Sequence, residues 1–254
     1  MLKTNSIYQG DCLELMKEIP DASIDFICVD VPYGITACAW DKRIPFAPMW
    51  SEVMRVAKDN AAIAMFAKGK FLIELASSNL KYYRYKWVWH KNLACGFLNA
   101  KKMPLCAHED ILIFYRHLPT YNPQFTQGKP YCKTGSSSSR NYGKIKNFHT
   151  TDNLTGDRYP TDLQKFKTPN SGFPKNHQSN VVHSTQKPVD LLEYLIKTYS
   201  NAGEVVLDFT CGSGSTCVAA VNSGRQFIGI ELDEKYFEIA CDRVVEAENK
   251  LVNG

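Results

Sequence analysis

The sequence predicts an α/β fold with a mostly parallel sheet, its two halves separated in sequence by a long basic insertion. Three observations predict it. Short apolar runs alternate with stretches of helical periodicity towards both ends of the chain. A glycine turn, Gly212-Ser213-Gly214, follows directly on one of the strand-like runs. Between Leu118 and Asn180 neither period persists, and six prolines interrupt the segment.

Residues 1–115 form the first half of the domain on this reading. Asp11, with Glu14 three residues on, has the spacing of a capping box. Leu13, Met16 and Ile19 then share one apolar face, and Pro20 ends the helix. Ile24 to Val29 reads as a buried strand by its β-branched and aromatic content. Phe46, Met49, Trp50, Val53, Met54 and Ala57 recur at a helical period, while Ala61 to Phe66 and Ile111 to Tyr115 are strand-like. Residues 116–182 are the insertion. So long a stretch without structure is rare inside a compact domain unless it is functional. Its eight aromatics, from Tyr121 to Phe173, are too many for a flexible tether. Residues 183–254 restore the α/β pattern. Pro188 stands at a first helical position, followed by Leu191, Leu192, Leu195, Ile196 and Tyr199 on one face. Gly203 leads into the strand Glu204 to Asp208, Gln226 to Ile230 is another strand, and Glu234 to Leu251 is an amphipathic helix.

A chain of 254 residues can bury a substantial core, and 44% apolar with 22% charged residues is an ordinary globular composition. The polar amino terminus has no apolar signal region, and no apolar run is long enough to cross a bilayer. The nine cysteines form no C-x-x-C pair, and Cys28 and Cys217 sit inside apolar runs. These features predict a reduced cytoplasmic protein with no membrane and no metal site. The net charge of +4 is unevenly spread: Arg116 to Asn180 holds ten Lys or Arg against three acids. That segment suits either a polyanion partner or a merely solvated loop.

Asp208-Phe209-Thr210-Cys211-Gly212-Ser213-Gly214-Ser215-Thr216 joins a strand end to a helix start. Glycines there let the backbone approach a ligand, and the helix start offers unpaired N–H groups. A simple tight turn has the same pattern. Glu231 lies nineteen residues beyond Gly212, at the end of the next strand. Doubly wound nucleotide sites place there the carboxylate that accepts the ribose hydroxyls. A strand-end cap for the last helix is the other reading of Glu231. The third glycine of a dinucleotide turn is missing, which fits a cofactor without pyrophosphate.

Asp30-Val31-Pro32-Tyr33-Gly34 follows a buried strand, so Asp30 belongs at the carboxyl end of the sheet, where open α/β sheets bind ligands. Alone it also reads as a Pro-Tyr-Gly turn. Together, and in this order, the two motifs resemble the β group of amino-methylating DNA methyltransferases (N6-adenine and N4-cytosine). In that group an Asp/Asn/Ser-Pro-Pro-Tyr/Phe/Trp tetrapeptide comes first, a target-recognition region next and the glycine motif last. The resemblance covers nearly the whole chain. It includes the group's Gly-Asp pair, here Gly10-Asp11, and its Thr-Gln-Lys-Pro segment, here Thr185-Gln186-Lys187-Pro188. Ribosomal and release-factor methyltransferases carry the two main motifs in the opposite order. Val31 replaces the group's first proline. That position contributes a backbone carbonyl, which Val retains, and Pro32 restrains its shape.

The resemblance implies a seven-stranded Rossmann-like methyltransferase fold, permuted in sequence, with 116–182 as the target-recognition insertion. It implies S-adenosylmethionine as cofactor, double-stranded DNA as substrate, and a homodimer and a cognate restriction nuclease as candidate partners. Asp30, Val31, Pro32 and Tyr33 are then the catalytic set, with Tyr33 stacking on a base flipped out of the duplex. Asp11 faces the cofactor adenine and Glu231 its ribose. Asp208, Phe209, Gly212 and Gly214 belong to the turn lining its methionine part, with Thr185 and Lys187 near its carboxylate. Arg140, Lys144 and Lys146 are the candidates for phosphate contact. Trp87 to Asn92 and His108-Glu109 also match family stretches near the cleft, although core packing suits Trp87 and Trp89 equally. Asp at the first tetrapeptide position leans towards adenine. Cytosine-N4 methylation and a catalytically idle DNA-binding relative are the alternatives.

Overall fold

The computed structural model of the chain describes residues 1–34, 41–132, 152–169 and 186–253. They fall into two compact units, Met1–Asn122 with Asp162–Gly254, and Pro123–Thr161. In chain order the strands are β1 (Ser6–Gln9), β2 (Ile24–Val29), β3 (Ala57–Ala67), β4 (Tyr83–Cys95), β5 (Cys106–Phe114), β6 (Thr126–Gln127), β7 (Tyr131–Cys132), β8 (Asp152–Asn153), β9 (Asp157–Arg158), β10 (Leu163–Phe166), β11 (Val205–Asp208) and β12 (Gln226–Glu231). The α-helices are α1 (Cys12–Leu15), α2 (Phe46–Val56), α3 (Gly69–Ser78), α4 (Val189–Tyr199), α5 (Ser215–Asn222) and α6 (Glu234–Asn253).

The larger unit holds an eight-stranded sheet in the order β1-β12-β11-β2-β3-β5-β4-β10. Every neighbour pair is parallel except those of β5, which runs against both β3 and β4. The expected mostly parallel sheet is therefore present, with one strand more than expected. The extra strand is β10, from within 116–182, which pairs with β4 from Leu163↔Val88 to Phe166↔Lys91. Leu163–Phe166 thus belongs to the sheet, and the larger compact unit resumes at Asp162.

Alternation along the central strands builds two cores. Ile27 and Val29 of β2, with Ile63 and Met65 of β3, pack on one face with Met49, Trp50 and Val53 of α2 and Phe71 and Leu75 of α3. Phe26, Cys28, Ala62, Ala64 and Phe66 point the other way, against Leu191, Leu192 and Leu195 of α4, Ala219 and Ala220 of α5, and Val244 and Ala247 of α6. Central strands covered on both faces read as continuous apolar runs, which is why β2 and β3 were legible.

Local chemistry departs from expectation at a few points. Asp11 caps α1 by accepting the Leu13 N–H at 2.8 Å, but Glu14 turns to Lys17 at 2.8 Å, so no capping box forms. Pro188 is the extended residue before α4 (ψ 131°) rather than its first helical position. β3 begins at Ala57, earlier than the apolar run suggests.

The smaller unit contains two short antiparallel pairs, β6 with β9 and β7 with β8. Phe125 meets Tyr159 edge-on at 4.9 Å, and the Arg158 guanidinium lies 4.7 Å above the Tyr131 ring. Here the aromatic and basic residues of the insertion pack on one another. No described helix is long and apolar enough to cross a membrane.

Candidate active site

The larger unit encloses a cavity of about 920 Å³ at the carboxyl ends of β2, β11 and β12. Three carboxylates mark those ends: Asp30 just beyond β2, Asp208 closing β11 and Glu231 closing β12. Because β5 runs the other way, its early residue Glu109 reaches the same edge, opposite Trp89 of β4. One antiparallel strand thus adds a fourth acid to the site.

Asp30 is tightly held. Its Oδ1 accepts the Tyr33 hydroxyl at 2.8 Å, its Oδ2 lies 2.6 Å from Lys187 Nζ, and its backbone carbonyl accepts the Thr210 hydroxyl at 3.2 Å. Tyr33 stacks on Phe71 with ring centroids 4.6 Å apart. Burial pushes the phenol well above its ordinary pKa and the Asp30 charge adds to this, so Tyr33 stays a proton donor to Asp30. The backbone carbonyl of Tyr33 accepts from Arg43 Nε at 2.7 Å, which fixes the turn after the strand. Val31 is 3% exposed and its side chain belongs to the apolar core.

Lys187 lies between two acids. Besides Asp30 it has Glu109 Oε2 at 3.2 Å, while Glu109 Oε1 pairs with Lys91. Burial opposes the Lys187 ammonium, but Asp30 and Glu109 outweigh it and raise its pKa. Burial likewise pushes the Glu109 carboxyl up, and the ammonium groups of Lys187 and Lys91 more than reverse this. The chain Lys91–Glu109–Lys187–Asp30 alternates in sign and balances its own charge. Trp89 and Phe66 wall it, with Lys91 Nζ 4.8 Å from the Trp89 ring and Lys187 Nζ 5.0 Å from that of Phe66.

At the other end, Glu231 Oε2 accepts the Gly212 N–H at 2.7 Å and Oε1 accepts the Asp233 N–H at 2.9 Å. It joins the glycine turn to the chain entering α6, and each oxygen keeps a further lone pair for a hydroxyl. Gly212 has φ +52°, and a Cβ built there would meet nothing within 4 Å. The turn therefore leaves open space in the cavity that a side chain would occupy. Gln186 Oε1 is buried there without a hydrogen-bond partner among the described residues. An orphan acceptor, hydroxyl-accepting carboxylates and a bare glycine turn fit a nucleoside-bearing ligand. Burial raises the Asp208 carboxyl to about 7, against the opposing Thr216 hydroxyl and Thr210 N–H.

Of the residues singled out from sequence, Asp11, Asp30, Val31, Pro32, Tyr33, Lys187, Asp208, Phe209, Gly212 and Glu231 line this cavity. Gly214 does not. It sits before α5 at φ +77°, where a Cβ would come within 2.8 Å of Ala240 Cβ, so its smallness lets α5 pack on α6. Lys187, expected beside the cofactor carboxylate, here touches Asp30 and Glu109. Thr185, Arg140, Lys144 and Lys146 lie outside the described residues. Lys91 and Glu109 were not singled out as site residues. Their signal was two charges at inward positions of strands whose other inward positions are apolar. Trp87 is a core residue that donates to the Tyr199 hydroxyl at 2.6 Å, whereas Trp89 faces the cavity.

A family model for DNA methylases of the N6/N4 type matches residues 24–242. The chain belongs to the N6/N4 DNA methylase family. DNA adenine methyltransferase YhdJ of Escherichia coli K12 is 28% identical, with 95% of this chain and 83% of that protein covered. The solved M1.HpyAVI–SAM complex superposes with a TM-score of 0.62 at 23% identity, covering 94% of this chain and 98% of the other. The PvuII DNA methyltransferase, described as cytosine-N4-specific, superposes at 0.68 with 16% identity, covering 100% and 94%. The fold is thus the Rossmann-like methyltransferase fold.

Proposed function

We propose that this chain transfers a methyl group from S-adenosylmethionine to the exocyclic N6 amine of an adenine flipped out of double-stranded DNA. The observation that carries the reading is the Asp30 carboxylate, held at a strand end in the same cavity as the glycine turn and Glu231. S-adenosylmethionine supplies, when bound, a methyl group activated on a sulfonium sulfur. Asp11 and Glu231 suit its adenosine part and the Gly212 turn its methionine part, and Gln186 Oε1 is a free acceptor for a donor group.

An exocyclic amine is a weak nucleophile because its lone pair is delocalised into the ring. Asp30 and the Val31 carbonyl, accepting from its two hydrogens, favour a pyramidal nitrogen and stabilise the positive charge it develops. Methyl transfer would leave the nitrogen with one proton too many, and the Asp30 carboxylate would be placed to take it. Holding the nitrogen in line with the methyl group supplies much of the remaining advantage. The base must leave the stack because that atom is out of reach inside a duplex. Val31 presents the same carbonyl a proline would and buries its side chain in the core, which favours an active enzyme over an idle binder.

Adenine is preferred over cytosine because Asp opens the tetrapeptide and a relative matched over most of its length is named an adenine methyltransferase. The likeness to the cytosine-N4-specific enzyme speaks for fold alone. Incubation with labelled cofactor and mixed-sequence DNA, followed by digestion to nucleosides, tests both points. Label in N6-methyl-2′-deoxyadenosine is expected; label in N4-methyl-2′-deoxycytidine would transfer the reading to cytosine, and none in either would overturn it.

A further inference from the structure

Both side-chain oxygens of Asp30 have partners, one in the Tyr33 hydroxyl and the other in the Lys187 ammonium. A substrate amine needs one of those oxygens. The Lys187 ammonium, 2.6 Å from Oδ2, therefore competes with the incoming amine hydrogen for that oxygen. A second seat for the ammonium exists. Glu109 Oε2 lies 3.2 Å from Lys187 Nζ and is buried, an ion pair without hydrogen-bond geometry. A buried carboxylate oxygen served only by a shared, poorly aligned donor is left undersatisfied. Lys91, on the far oxygen, anchors Glu109 and keeps it ionised.

We propose that Lys187 is a two-position cation: it rests on Asp30 and withdraws onto Glu109 when the base amine arrives, with Glu109 and Lys91 as its positioning residues. This rests on the reading of Asp30 as the amine acceptor. In the resting arrangement Lys187 compensates a carboxylate that would otherwise face a largely apolar cavity unpaired. In the engaged arrangement the developing charge on the amine takes over that task. Lys187 then satisfies Glu109 Oε2, so neither acid is left without a donor. The movement required is short, because one ammonium already lies within ion-pair distance of both acids. The four residues carry no net charge, so the shift leaves the charge of the group unchanged.

The test is a set of turnover and affinity measurements with duplex DNA on Glu109→Gln, made in the wild-type and in the Asp30→Asn backgrounds. Glutamine keeps the shape but removes the anionic seat, so Lys187 stays on Asp30. Turnover should fall on the order of a hundredfold, the scale of losing one preorganised acceptor. The KM for DNA and the dissociation constant of S-adenosylmethionine should stay at wild-type values. With Asn at position 30 no anion remains to hold the ammonium, so adding Glu109→Gln should change turnover little further. Should Glu109→Gln fold poorly, Glu109→Gln with Lys91→Met removes the anchoring pair without a charge imbalance and should show the same turnover loss. Equal fold losses in both backgrounds would overturn the proposal, because Glu109 would then act without Asp30. So would unchanged turnover in the Glu109 variants while Asp30→Asn is impaired. Wild-type turnover in Asp30→Ala would instead overturn the reading of Asp30, and this proposal with it.

Discussion

Asp30 and Asp208 end neighbouring strands, yet their surroundings differ in kind. Asp30 has a phenol, an ammonium and partial exposure, while Asp208 is enclosed with only neutral donors. Asp30→Ala removes the amine acceptor. Its turnover should drop on the order of a hundredfold or more, with S-adenosylmethionine affinity at its wild-type value by calorimetry. Asp208 makes a prediction about stability. Its folded pKa, about 7, lies above the unfolded carboxylate value near 3.9, so between those limits the folded state binds more protons. Stability from this group is complete at the acid end and is lost as pH rises through about 7. Urea unfolding across that range should show wild type losing up to about 4 kcal/mol relative to Asp208→Asn. Parallel curves for the two proteins would count against a buried, reluctantly ionised Asp208. The residues that sequence identified by motif stand at strand ends. Lys91 and Glu109 fall in stretches that the family resemblance already placed near the cleft, but only the β4–β5 register brings them together as a pair.

Elements with wide apolar faces were legible and those with narrow ones were not. α2 and α4 bury four and six residues respectively, and their periodicity stands out in the sequence. α3 buries only Phe71 and Leu75, a stripe too thin to register as a period. β4 does alternate, with Trp87, Trp89 and Lys91 inward, but the third is a lysine and breaks the apolar signal. β1 and β10 are edge strands of four residues each with no fully buried side chain. The turn between β11 and α5 offers two tests. Gly214→Ala puts a Cβ in a left-handed backbone position and 2.8 Å from Ala240 Cβ. It should cost about 1–3 kcal/mol in chemical denaturation, through strain and separation of α5 from α6. Glu231→Ala strips the acceptor from two N–H groups and from the ribose hydroxyls of the proposed cofactor. Cofactor affinity should fall about ten- to a hundredfold, since a hydrogen bond to a charged group is worth roughly 1.5–3 kcal/mol. An unchanged affinity with a lowered melting temperature would leave Glu231 as only a link between the turn and α6.

At the scale of the molecule, the sheet concentrates the proposed chemistry in the larger unit, while most of the basic excess lies in 116–182. Arg140, Lys144 and Lys146 belong to that excess and lie outside the described residues, so their part in binding is argued from charge and chemistry alone. If they contact DNA phosphates, each contact releases condensed counterions when it forms, and affinity falls linearly on a log–log plot against salt. Replacing all three with alanine should then lower the magnitude of that slope by about 0.9 per lost contact, close to 2.7 if every one touches a phosphate. Affinity should weaken about equally for all sequences, because phosphate contacts carry no base information. Loss of a base-reading side chain would behave otherwise, relaxing preference at one position by about 1–3 kcal/mol. S-adenosylmethionine affinity should not move, since its proposed binding residues belong to the larger unit. Fluorescence anisotropy with a labelled duplex at several salt concentrations measures the slope directly. A triple variant with the wild-type slope would mean that these charges are a solvated surface and that DNA is gripped elsewhere.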